Sequence, residues 1–564
     1  MIDSSEIKDI LLNNKFISEI KITPKKKIYN KYYEWVVNCK IDILGEWRGI
    51  KIGIPREWQI ELFDFYLDVY NVFIPHMDNK GKLCLFDIDS ILIDSFFEGV
   101  FNQCISQLRT TIEKGLKNEN RIDFIKEFNS YFSLLKNKII AKVVLPSNKI
   151  NANIKYCKLN SSKNNISEIF SSTEQKDFNL WKYTQPQKNG MYFYLNLDNY
   201  IFPPDIDNPQ LDKFINNLLS FVAVKDFEKI IRKCVEKKEL FLIFEINQKN
   251  KYINSLGFLI KDPTFIKNND IIILNNFNNI IPIVIYKLDR ISLANRVSFF
   301  GDYISKKSIL LIGCGSIGSF VFNNLIKIGF NKITLVDNDI FMPENIYRHL
   351  LGIDDARKYT YKVDLLANYA NKSLPDMEIK PLSERIETKL SNGTLRLNDF
   401  DYIISAVGNH NINRWLNEYM LEHKVNKTFF YVWNEPLDIG CHAMRINPLD
   451  KGSYKDIFSI IDGEMVDLTS YVKNGQNFNK SVSGCNGNFI PYCSTLSLES
   501  SLLLIDLLKR DILGKIDKNI ILSQKGDDFY LKNAGYILSE RYLNQHEKYF
   551  EIDVNELKFN KNNV

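Results

Sequence analysis

The chain has 564 residues and a mass of 65.9 kDa, which is too long for one domain and predicts three or four. Its 73 basic and 68 acidic side chains leave a net charge of only +5. This balance argues against a general nucleic-acid coat or a polybasic membrane binder. Aromatic residues make up 13% of the chain, which excludes disorder as its main state.

The cysteine pattern and the N-terminus indicate the compartment. Nine cysteines are scattered along the chain without any C-x-x-C pair, which excludes zinc-ribbon spacing and argues against a disulfide framework. The first residues lack the basic start and apolar run of a signal peptide, and no apolar stretch approaches the roughly 20 residues of a membrane span. We therefore expect a cytoplasmic protein with reduced thiols, bound to neither membrane nor nucleic acid.

Residues 1–140 predict an α+β domain. An amphipathic helix comes first, and strand-like segments follow at residues 17–22, 33–44 and 47–54, where proline and glycine mark the turns. From about residue 91 to 135 the apolar spacing becomes helical. Residues 141–290 carry a weaker pattern, with strands such as M-Y-F-Y-L-N-L and L-F-L-I-F-E-I but no chemical motif. We expect an α/β connector there.

Residues 291–564 predict a Rossmann-like α/β domain, because strands and helices alternate from Lys307 onward as in βαβ units. Four strands are expected at residues 308–313, 332–337, 401–408 and 429–433. Four helices are expected at residues 319–329, 361–370, 409–422 and 496–513.

A glycine loop, G-C-G-S-I-G, follows the first of these strands and opens a helix. Gly313 allows a tight turn, Gly315 lets backbone N–H groups approach a phosphate, and Gly318 permits close packing. Asp337 ends the next strand, near the position where a carboxylate accepts hydrogen bonds from ribose hydroxyls. On these residues alone a nicotinamide oxidoreductase fits as well as an ATP-using enzyme.

The continuation separates these two possibilities. The segment D-N-D-I-F-M-P-E-N-I-Y-R-H begins at Asp337 and resembles the D-x-D-x-V-x-x-x-N-L-x-R-Q motif of the ubiquitin-activating superfamily, which includes ThiF-type sulfur-carrier adenylating enzymes. Asn345, Arg348 and Lys362 match in spacing, whereas His349 stands where the family usually has glutamine. The resemblance implies ATP and Mg²⁺ as cofactors. It assigns the ribose to Asp337 and the triphosphate to Asn345, Arg348 and Lys362, which suits adenylation of a carboxylate.

One departure concerns the metal. The superfamily has a magnesium-binding aspartate after a later strand, but here Gly408 occupies that position and Asn409 follows. Either other groups hold the metal, with Asp339 as our candidate ligand, or catalysis is reduced. The second reading leaves open a non-catalytic nucleotide-binding scaffold.

A second motif lies in the N-terminal domain. The segment I-P-H-M-D-N-K-G-K-L-C-L, from Ile74 to Leu85, resembles the active-site segment of ubiquitin-conjugating enzymes, H-P-N-I-x-x-x-G-x-I-C-L. The resemblance makes Cys84 a thioester-forming nucleophile. It places His76 on the family's asparagine, where the imidazole would donate a hydrogen bond to the oxyanion. The plain alternative is that Cys84 is a small buried hydrophobe.

An activating enzyme also needs a cysteine that receives the adenylated carboxylate. Cys485 lies in a Gly/Asn-rich segment whose mobility would let a thiol reach the adenylate. Cys493 lies at the start of the last long helix, where a helix N-terminus favours a thiolate. We favour Cys485 slightly. Cys441 is expected in the core, and Cys314 is expected to fill the small-residue position of the glycine loop.

The order of the three domains resembles the fused activating and conjugating enzyme of bacterial CBASS anti-phage operons. The resemblance implies a homodimer that activates a protein's C-terminus, carries it through two thioesters and joins it to an amine acceptor. In that family the carried protein is a cyclic-nucleotide synthase. The alternatives are a sulfur-carrier-type adenylating enzyme whose N-terminal domain only docks a partner, and the scaffold.

Overall fold

The computed structural model describes most of the chain as two compact units, residues 1–288 and 289–564. The described residues are 3–68, 74–86, 91–136, 138–146, 148–160, 167–231, 239–268, 271–296, 301–461, 463–481 and 488–557.

The first unit begins with an antiparallel sheet whose five strands lie in chain order. Its elements are α1 (Ser4–Leu12), β1 (Ile17–Ile28), β2 (Lys31–Ile43), β3 (Glu46–Ile54), β4 (Asp64–Leu67), β5 (Lys82–Leu83) and α2 (Phe97–Leu116). Alternate residues of β2, including Cys39, Ile41 and Ile43, are buried on one face of the sheet, as the two-residue period of a strand requires. Helix α2 covers that face with an apolar stripe that includes Val100 and Cys104.

Two short helices lead from this sheet into a closed seven-stranded barrel, in which the strand order is β10-β11-β14-β6-β8-β7-β9. These two helices are α3 (Asp123–Lys126) and α4 (Phe128–Ser133), and the helices that follow within this part are α5 (Gln175–Leu180), α6 (Leu211–Leu219) and α7 (Val224–Ile231). The strands are β6 (Ile139–Val143), β7 (Ala152–Asn160), β8 (Ser167–Ser172), β9 (Lys188–Leu197), β10 (Glu239–Gln248), β11 (Tyr252–Lys261), β12 (Thr264–Asn268), β13 (Ile271–Asn276) and β14 (Asn279–Lys287). Strands β12 and β13 form a separate hairpin.

The second unit is an α/β domain with one eight-stranded sheet. Its helices are α8 (Arg290–Ala294), α9 (Gly301–Ile304), α10 (Ser316–Ile328), α11 (Ile353–Ala356), α12 (Lys362–Ser373), α13 (Ile386–Ser391), α14 (His410–Glu422), α15 (Ser494–Ile512), α16 (Phe529–Asn533) and α17 (Glu540–Asn544). Its strands are β15 (Ser308–Ile312), β16 (Lys332–Val336), β17 (Glu378–Leu382), β18 (Tyr402–Ser405), β19 (Thr428–Asn434), β20 (Gly440–Ile446), β21 (Phe458–Ile461), β22 (Glu464–Asp467), β23 (Lys480–Ser481), β24 (Asn488–Phe489), β25 (Ile520–Lys525) and β26 (Tyr549–Asp553). Among the described residues of this unit, 3₁₀ helices span Pro343–Arg348, Leu397–Asp399, Pro436–Asp438 and Tyr454–Ile457.

The large sheet has the order β17-β16-β15-β18-β19-β20-β25-β26, and its first five strands are parallel. Strands β15 and β18 are neighbours in the sheet, but the chain leaves β15 towards β16 and returns on the other side to β18. The carboxyl ends of two such strands border a crevice where nucleotides commonly bind. Apolar cores cover both faces of the sheet, which explains the continuous apolar runs of its central strands.

The predicted elements agree well with these bounds, and the multidomain α/β and α+β fold class is confirmed. The closed barrel is the part of the connector that the strand pattern did not predict, because closure depends on pairing between distant segments. The boundary predicted at residues 140/141 stays a prediction, and it falls inside strand β6, which begins at Ile139. Among the described residues, no helix is long and apolar enough to cross a membrane.

Candidate functional site

Cys84 follows directly after β5, at the end of a tight loop. Asp78 closes this loop, because one oxygen of its carboxylate accepts hydrogen bonds from the backbone N–H groups of Lys80 and Lys82, both at 2.8 Å. Gly81 has a φ of +74°, and a Cβ atom there would lie 2.5 Å from the carbonyl oxygen of Leu67. A side chain at position 81 would therefore clash with β4, which accounts for the glycine of the motif.

The Cys84 side chain is exposed, which favours the nucleophile over the buried alternative. It borders a cavity of about 520 Å³ between the loop and helix α4. Acidic and basic groups share the wall of this cavity with apolar ones, and its polar lining includes Asp64, His76, Asp78, Lys82, Glu127 and Tyr131. A substrate bound at Cys84 would thus meet charged groups within the same cavity.

His76 lies in the same cavity, and both of its ring nitrogens face carboxylates. Nδ1 lies 3.1 Å from Oε1 of Glu127, and Nε2 lies 3.3 Å from Oδ2 of Asp123. The hydrogen bond with Glu127 is the main cause of the raised pKa of His76, which burial opposes. The role of oxyanion donor stays a prediction, since the ring would have to give up a carboxylate to perform it.

The glycine loop lies where β15 and β18 end side by side. Gly313 has a φ of +85°, and a Cβ atom there would lie 2.9 Å from the backbone of Ala406. A Cβ atom on Gly318 would lie 2.0 Å from the carbonyl oxygen of Gly313, whereas one on Gly315 would meet no atom within 4 Å. The first and third glycines thus permit close packing, and the middle one leaves the backbone open to a ligand.

A cavity of about 490 Å³ opens at this point. Gly313, Gly315, Asp337, Asp339 and Gly408 line it, together with the N-terminus of α10. A helix N-terminus attracts anions because its first N–H groups lack partners within the helix. The shape and the open backbone at Gly315 fit the phosphates of a nucleotide.

Asp337 organises the loop as well as the cavity wall. Its carboxylate accepts hydrogen bonds from the backbone N–H of Cys314 at 2.6 Å and of Asp339 at 2.8 Å. Burial raises the pKa of Asp337. Beside it, the Nζ of the buried Lys362 lies 2.8 Å from Oδ2 of the largely exposed Asp339. The structure therefore brings together three of the predicted residues, Asp337, Asp339 and Lys362.

His349 is a buried residue that forms a hydrogen bond with the backbone of the glycine loop. Its Nδ1 accepts a hydrogen bond from the N–H of Leu351 at 3.1 Å, so its Nε2 carries the proton that it donates to the Cys314 carbonyl at 2.9 Å. Burial lowers the pKa of His349 to about 4. This neutral imidazole supplies an N–H donor, as the glutamine of the family motif can, which explains how the departure is tolerated.

The buried imidazole makes the second unit sensitive to acid. As the pH falls from about 6.5 to 4 the unfolded chain binds a proton at His349 before the folded chain does, so the free energy of unfolding decreases. At pH 4.5 the loss relative to neutral pH is roughly 2 to 3 kcal/mol for this group. We therefore expect the free energy of unfolding, measured in urea, to fall less between pH 7 and pH 4.5 in His349→Gln than in the unsubstituted protein. Equal losses in the two proteins would contradict this assignment.

Asn345 and Arg348 belong to the 3₁₀ helix Pro343–Arg348. The side-chain oxygen of Asn345 accepts a hydrogen bond from the N–H of Met342 at 3.0 Å and caps this helix. The Arg348 guanidinium lies 5.4 Å from the ring centre of Tyr492 and 5.9 Å from that of Phe489. In this structure Arg348 therefore contacts aromatic rings, and phosphate contacts by Asn345 and Arg348 stay predictions.

The metal assignment rests on Asp339. Gly408 lines the cavity with a φ of +63°, and the side chain of Asn409 caps helix α14. Within the described ranges, no cluster of three His, Cys, Asp or Glu side chains could hold a metal ion. Mg²⁺ that accompanies a nucleotide needs only one or two carboxylates besides phosphates, so the exposed Asp339 fits this use.

Of the two candidate activating cysteines, the structure describes only Cys493. Cys485 lies outside the described residues. Cys493 is exposed at the start of α15, and the preceding Tyr492 lines the nucleotide cavity. A hydrogen bond with Asp438 raises the pKa of the Cys493 thiol, which reverses the advantage expected from the helix N-terminus. Cys314 and Cys441 are buried, as predicted.

Asp438 should therefore control the reactivity of Cys493. We expect Asp438→Asn to lower the pKa of this thiol and to raise its alkylation rate by iodoacetamide at pH 8 several-fold. Mass spectrometry of peptides would measure the rate at each cysteine, and the exposed Cys84 serves as the internal control. An unchanged or slower reaction at Cys493 would show that the carboxylate does not suppress its ionisation.

Several residues of the two sites escaped prediction. Asp123 and Glu127 face His76, and a spacing of four residues in a helical segment could have indicated that both carboxylates share a face. Glu384 and Arg385 line the nucleotide cavity after β17, and only the strand order places them there. Ser316 was also missed. Its hydroxyl donates a hydrogen bond to the Arg348 carbonyl and lies 2.8 Å from the Ser497 hydroxyl.

Comparison with known families finds two matches, in separate parts of the chain. Residues 21–141 match the prokaryotic E2 family B, and residues 296–505 match the ThiF family. The chain therefore combines an N-terminal domain of the first kind, which carries Cys84, with a C-terminal domain of the second kind, which carries the nucleotide cavity. Two family models thus match two separate stretches of the chain, one around Cys84 and one around the nucleotide cavity.

Individual relatives are similar over parts of the chain. The ATP-dependent ubiquitin transferase-like protein Cap2 of Pseudomonas aeruginosa is 25% identical over 232 residues, 40% of this chain and 39% of that protein. The ubiquitin-like modifier-activating enzyme ATG7 of Saccharomyces cerevisiae is 31% identical over 140 residues, 22% of each chain. The chain thus matches about two fifths of the bacterial relative's length. Among solved structures, Escherichia coli MccB with MccA-N7isoASN aligns with a TM-score of 0.32 and 16% identity, over 45% of this chain and 66% of that one.

Proposed function

We propose that the protein uses ATP to activate the C-terminal carboxylate of another protein and joins that C-terminus to an amine. A carboxylate oxygen attacks the α-phosphorus of ATP, which forms an acyl-adenylate and releases pyrophosphate. A thiolate of Cys493 or Cys485 then displaces AMP, and thiol exchange moves the acyl group to Cys84. An acceptor amine finally attacks this thioester, so that an amide forms and the Cys84 thiol is released.

The observation that carries this proposal is the presence of two complementary sites in one chain. One has an exposed cysteine at a charged cavity, and the other has a glycine-loop cavity beside a buried lysine. Activation and conjugation are consecutive steps that need these two chemistries. A nicotinamide dehydrogenase has no need for Asn345, Arg348 and Lys362 at these spacings after the glycine loop.

The residues of the second unit suit ATP and Mg²⁺. Asp337 and the glycine loop line the cavity; Asp337 would accept hydrogen bonds from the ribose, and the loop from Gly313 to Gly318 would face the phosphates. Lys362 and Arg348 supply the positive charge that a departing pyrophosphate needs. Mg²⁺ would bind Asp339 together with phosphate oxygens and would neutralise part of the triphosphate charge.

The biological setting follows from similarity. The Cap2 relatives carry the name of a ubiquitin transferase-like protein, and the fused family occurs in anti-phage operons. We therefore place the protein in the bacterial cytoplasm as a homodimer in anti-phage defence, with a cyclic-nucleotide synthase as the carried protein. Its acceptor would be an amine on a protein or a small molecule.

The test combines two assays. Exchange of radioactive pyrophosphate into ATP, stimulated by the candidate cyclic-nucleotide synthase, would report adenylation. A dithiothreitol-sensitive adduct between the two proteins, found by intact mass, would report the thioester. Exchange without an adduct would favour the sulfur-carrier-type enzyme, and absence of both would favour the scaffold.

A further inference from the structure

Residue 76 is held at each of its four hydrogen-bonding groups. Its backbone N–H donates to the Tyr131 hydroxyl, and that hydroxyl donates to Oε2 of Glu127 at 3.0 Å. Its carbonyl accepts the backbone N–H of Cys84 at 2.8 Å. Its ring nitrogens face Asp123 and Glu127, as described above. The backbone at this position has a φ of +65°, a left-handed conformation that a non-glycine residue keeps only where its surroundings enforce it.

The two carboxylates require the charged form of the ring. A neutral imidazole has one N–H donor and one acceptor nitrogen, and an acceptor facing a carboxylate would be repelled. The imidazolium donates at both nitrogens and satisfies both acids. The charged neighbours are Asp123 with its partner Lys126, Glu127, and, on the strand side of the cavity, Asp64, Asp78 and Lys82.

The helices α3 and α4, which flank Glu127 and include Asp123, are anchored on the barrel. Phe128 and Phe132 of α4 belong to the barrel core, and the Phe132 ring packs edge-on against Phe258 of β11 with 5.6 Å between ring centres. The side-chain amide of Asn254, also in β11, donates to the carbonyl of Ile125 at 3.3 Å. The barrel therefore supports α3 and α4 through apolar and polar contacts.

We propose that His76 is a positioning residue, through which the barrel-supported helices hold the Cys84 loop in the geometry needed for acyl transfer. This inference rests on the proposed function for its catalytic meaning, and it gives the connecting barrel a role. The charged ring stabilises the loop fully at low pH, and the effect is lost as the pH rises through the raised pKa of His76. The role differs from oxyanion donation, which needs a ring nitrogen free of the acids.

The test compares the full-length protein with Glu127→Gln, His76→Gln and the double variant. The exposed Glu119→Gln, eight residues upstream, is the matched control. Discharge of the preformed Cys84 adduct to free lysine is measured between pH 6 and 9, and NMR gives the titration midpoint of His76. We expect Glu127→Gln to slow discharge about tenfold at pH 7 with loading retained, and to lower that midpoint. The double variant should be no slower than either single one, because both act through one contact.

The outcomes separate the two proposals. The positioning role is overturned if Glu127→Gln forms the adduct and discharges it at the wild-type rate, or if His76→Gln is the only variant that slows discharge. Either result would favour direct oxyanion donation by His76. If no adduct forms in the unsubstituted protein, the proposed function fails. The alkylation rate of Cys84 by iodoacetamide then decides the inference, since Glu127→Gln should change it at least threefold relative to Glu119→Gln. A His76 midpoint at or below 6.5 would also overturn it.

Discussion

Replacement of Lys362 by alanine is expected to reduce pyrophosphate exchange by about 10² to 10³-fold, roughly 3 to 4 kcal/mol of transition-state stabilisation. The Lys362 side chain is only 8% exposed, and its ammonium lies 2.8 Å from Asp339, which lines the nucleotide cavity. A cation held in such a place acts strongly on the charge that develops at the departing pyrophosphate, because little water screens it. The exchange assay with saturating carried protein measures the effect directly.

A neighbouring lysine provides the control for this prediction. Lys358 pairs with Asp355 at 2.6 Å on the surface of the same segment, and about half of its side chain is exposed. Lys358→Ala should therefore leave exchange within about twofold, since exposed ion pairs contribute little. The partner left behind in Lys362→Ala, Asp339, is 61% exposed, so the variant should fold. Exchange at the unsubstituted rate in Lys362→Ala would exclude this lysine from the nucleotide site.

Replacement of Cys84 by serine is expected to abolish amide formation, by about 10³-fold or more, because a hydroxyl is a far weaker nucleophile than a thiolate. Pyrophosphate exchange should continue at the unsubstituted rate, since the nucleotide cavity belongs to the second unit. The exposed position of Cys84 predicts a stability change within about 0.5 kcal/mol. Intact mass and gel analysis of the conjugate measure the result.

The same variant separates the carrier role of Cys84 from a docking role of its domain. A serine at this position can trap the acyl group as an ester, which resists dithiothreitol and is cleaved by base. Such an adduct would identify Cys84 as the acyl carrier. Full conjugation by Cys84→Ser would instead support the sulfur-carrier-type enzyme with a docking N-terminal domain.

Local sequence was enough to predict the two loops on which the candidate sites are built. Gly81 and Gly313 both have positive φ angles and both lie where a Cβ atom would strike a neighbouring backbone, so the need for glycine is built into each motif. The strands around them have a two-residue apolar period or a continuous apolar run, and both patterns are typical of β-strands. These signals act over ten to twenty residues and need no knowledge of the rest of the fold.

The partners of the predicted residues could not be read in the same way. His76 was assigned to an oxyanion by its place in a motif, but its acids come from residues 47 and 51 positions further along the chain. The benefit expected for Cys493 from its helix N-terminus was reversed by Asp438, 55 residues earlier. In both cases a carboxylate brought in by tertiary folding outweighs the local effect, since a full charge at hydrogen-bonding distance exceeds the partial charge of a helix end.

The sequence by itself determined which reactive groups this protein carries and in what order: a thiol after a glycine turn, and a glycine loop followed by acid, amide and cations at set spacings. Only the tertiary structure decided how those groups are protonated and held. It closed the connector into a barrel, placed α3 and α4 upon it and set two acids against His76. The reason is physical: motifs are local and depend on backbone geometry, whereas pKa values and side-chain orientation depend on burial and on charges that only the folded chain brings together.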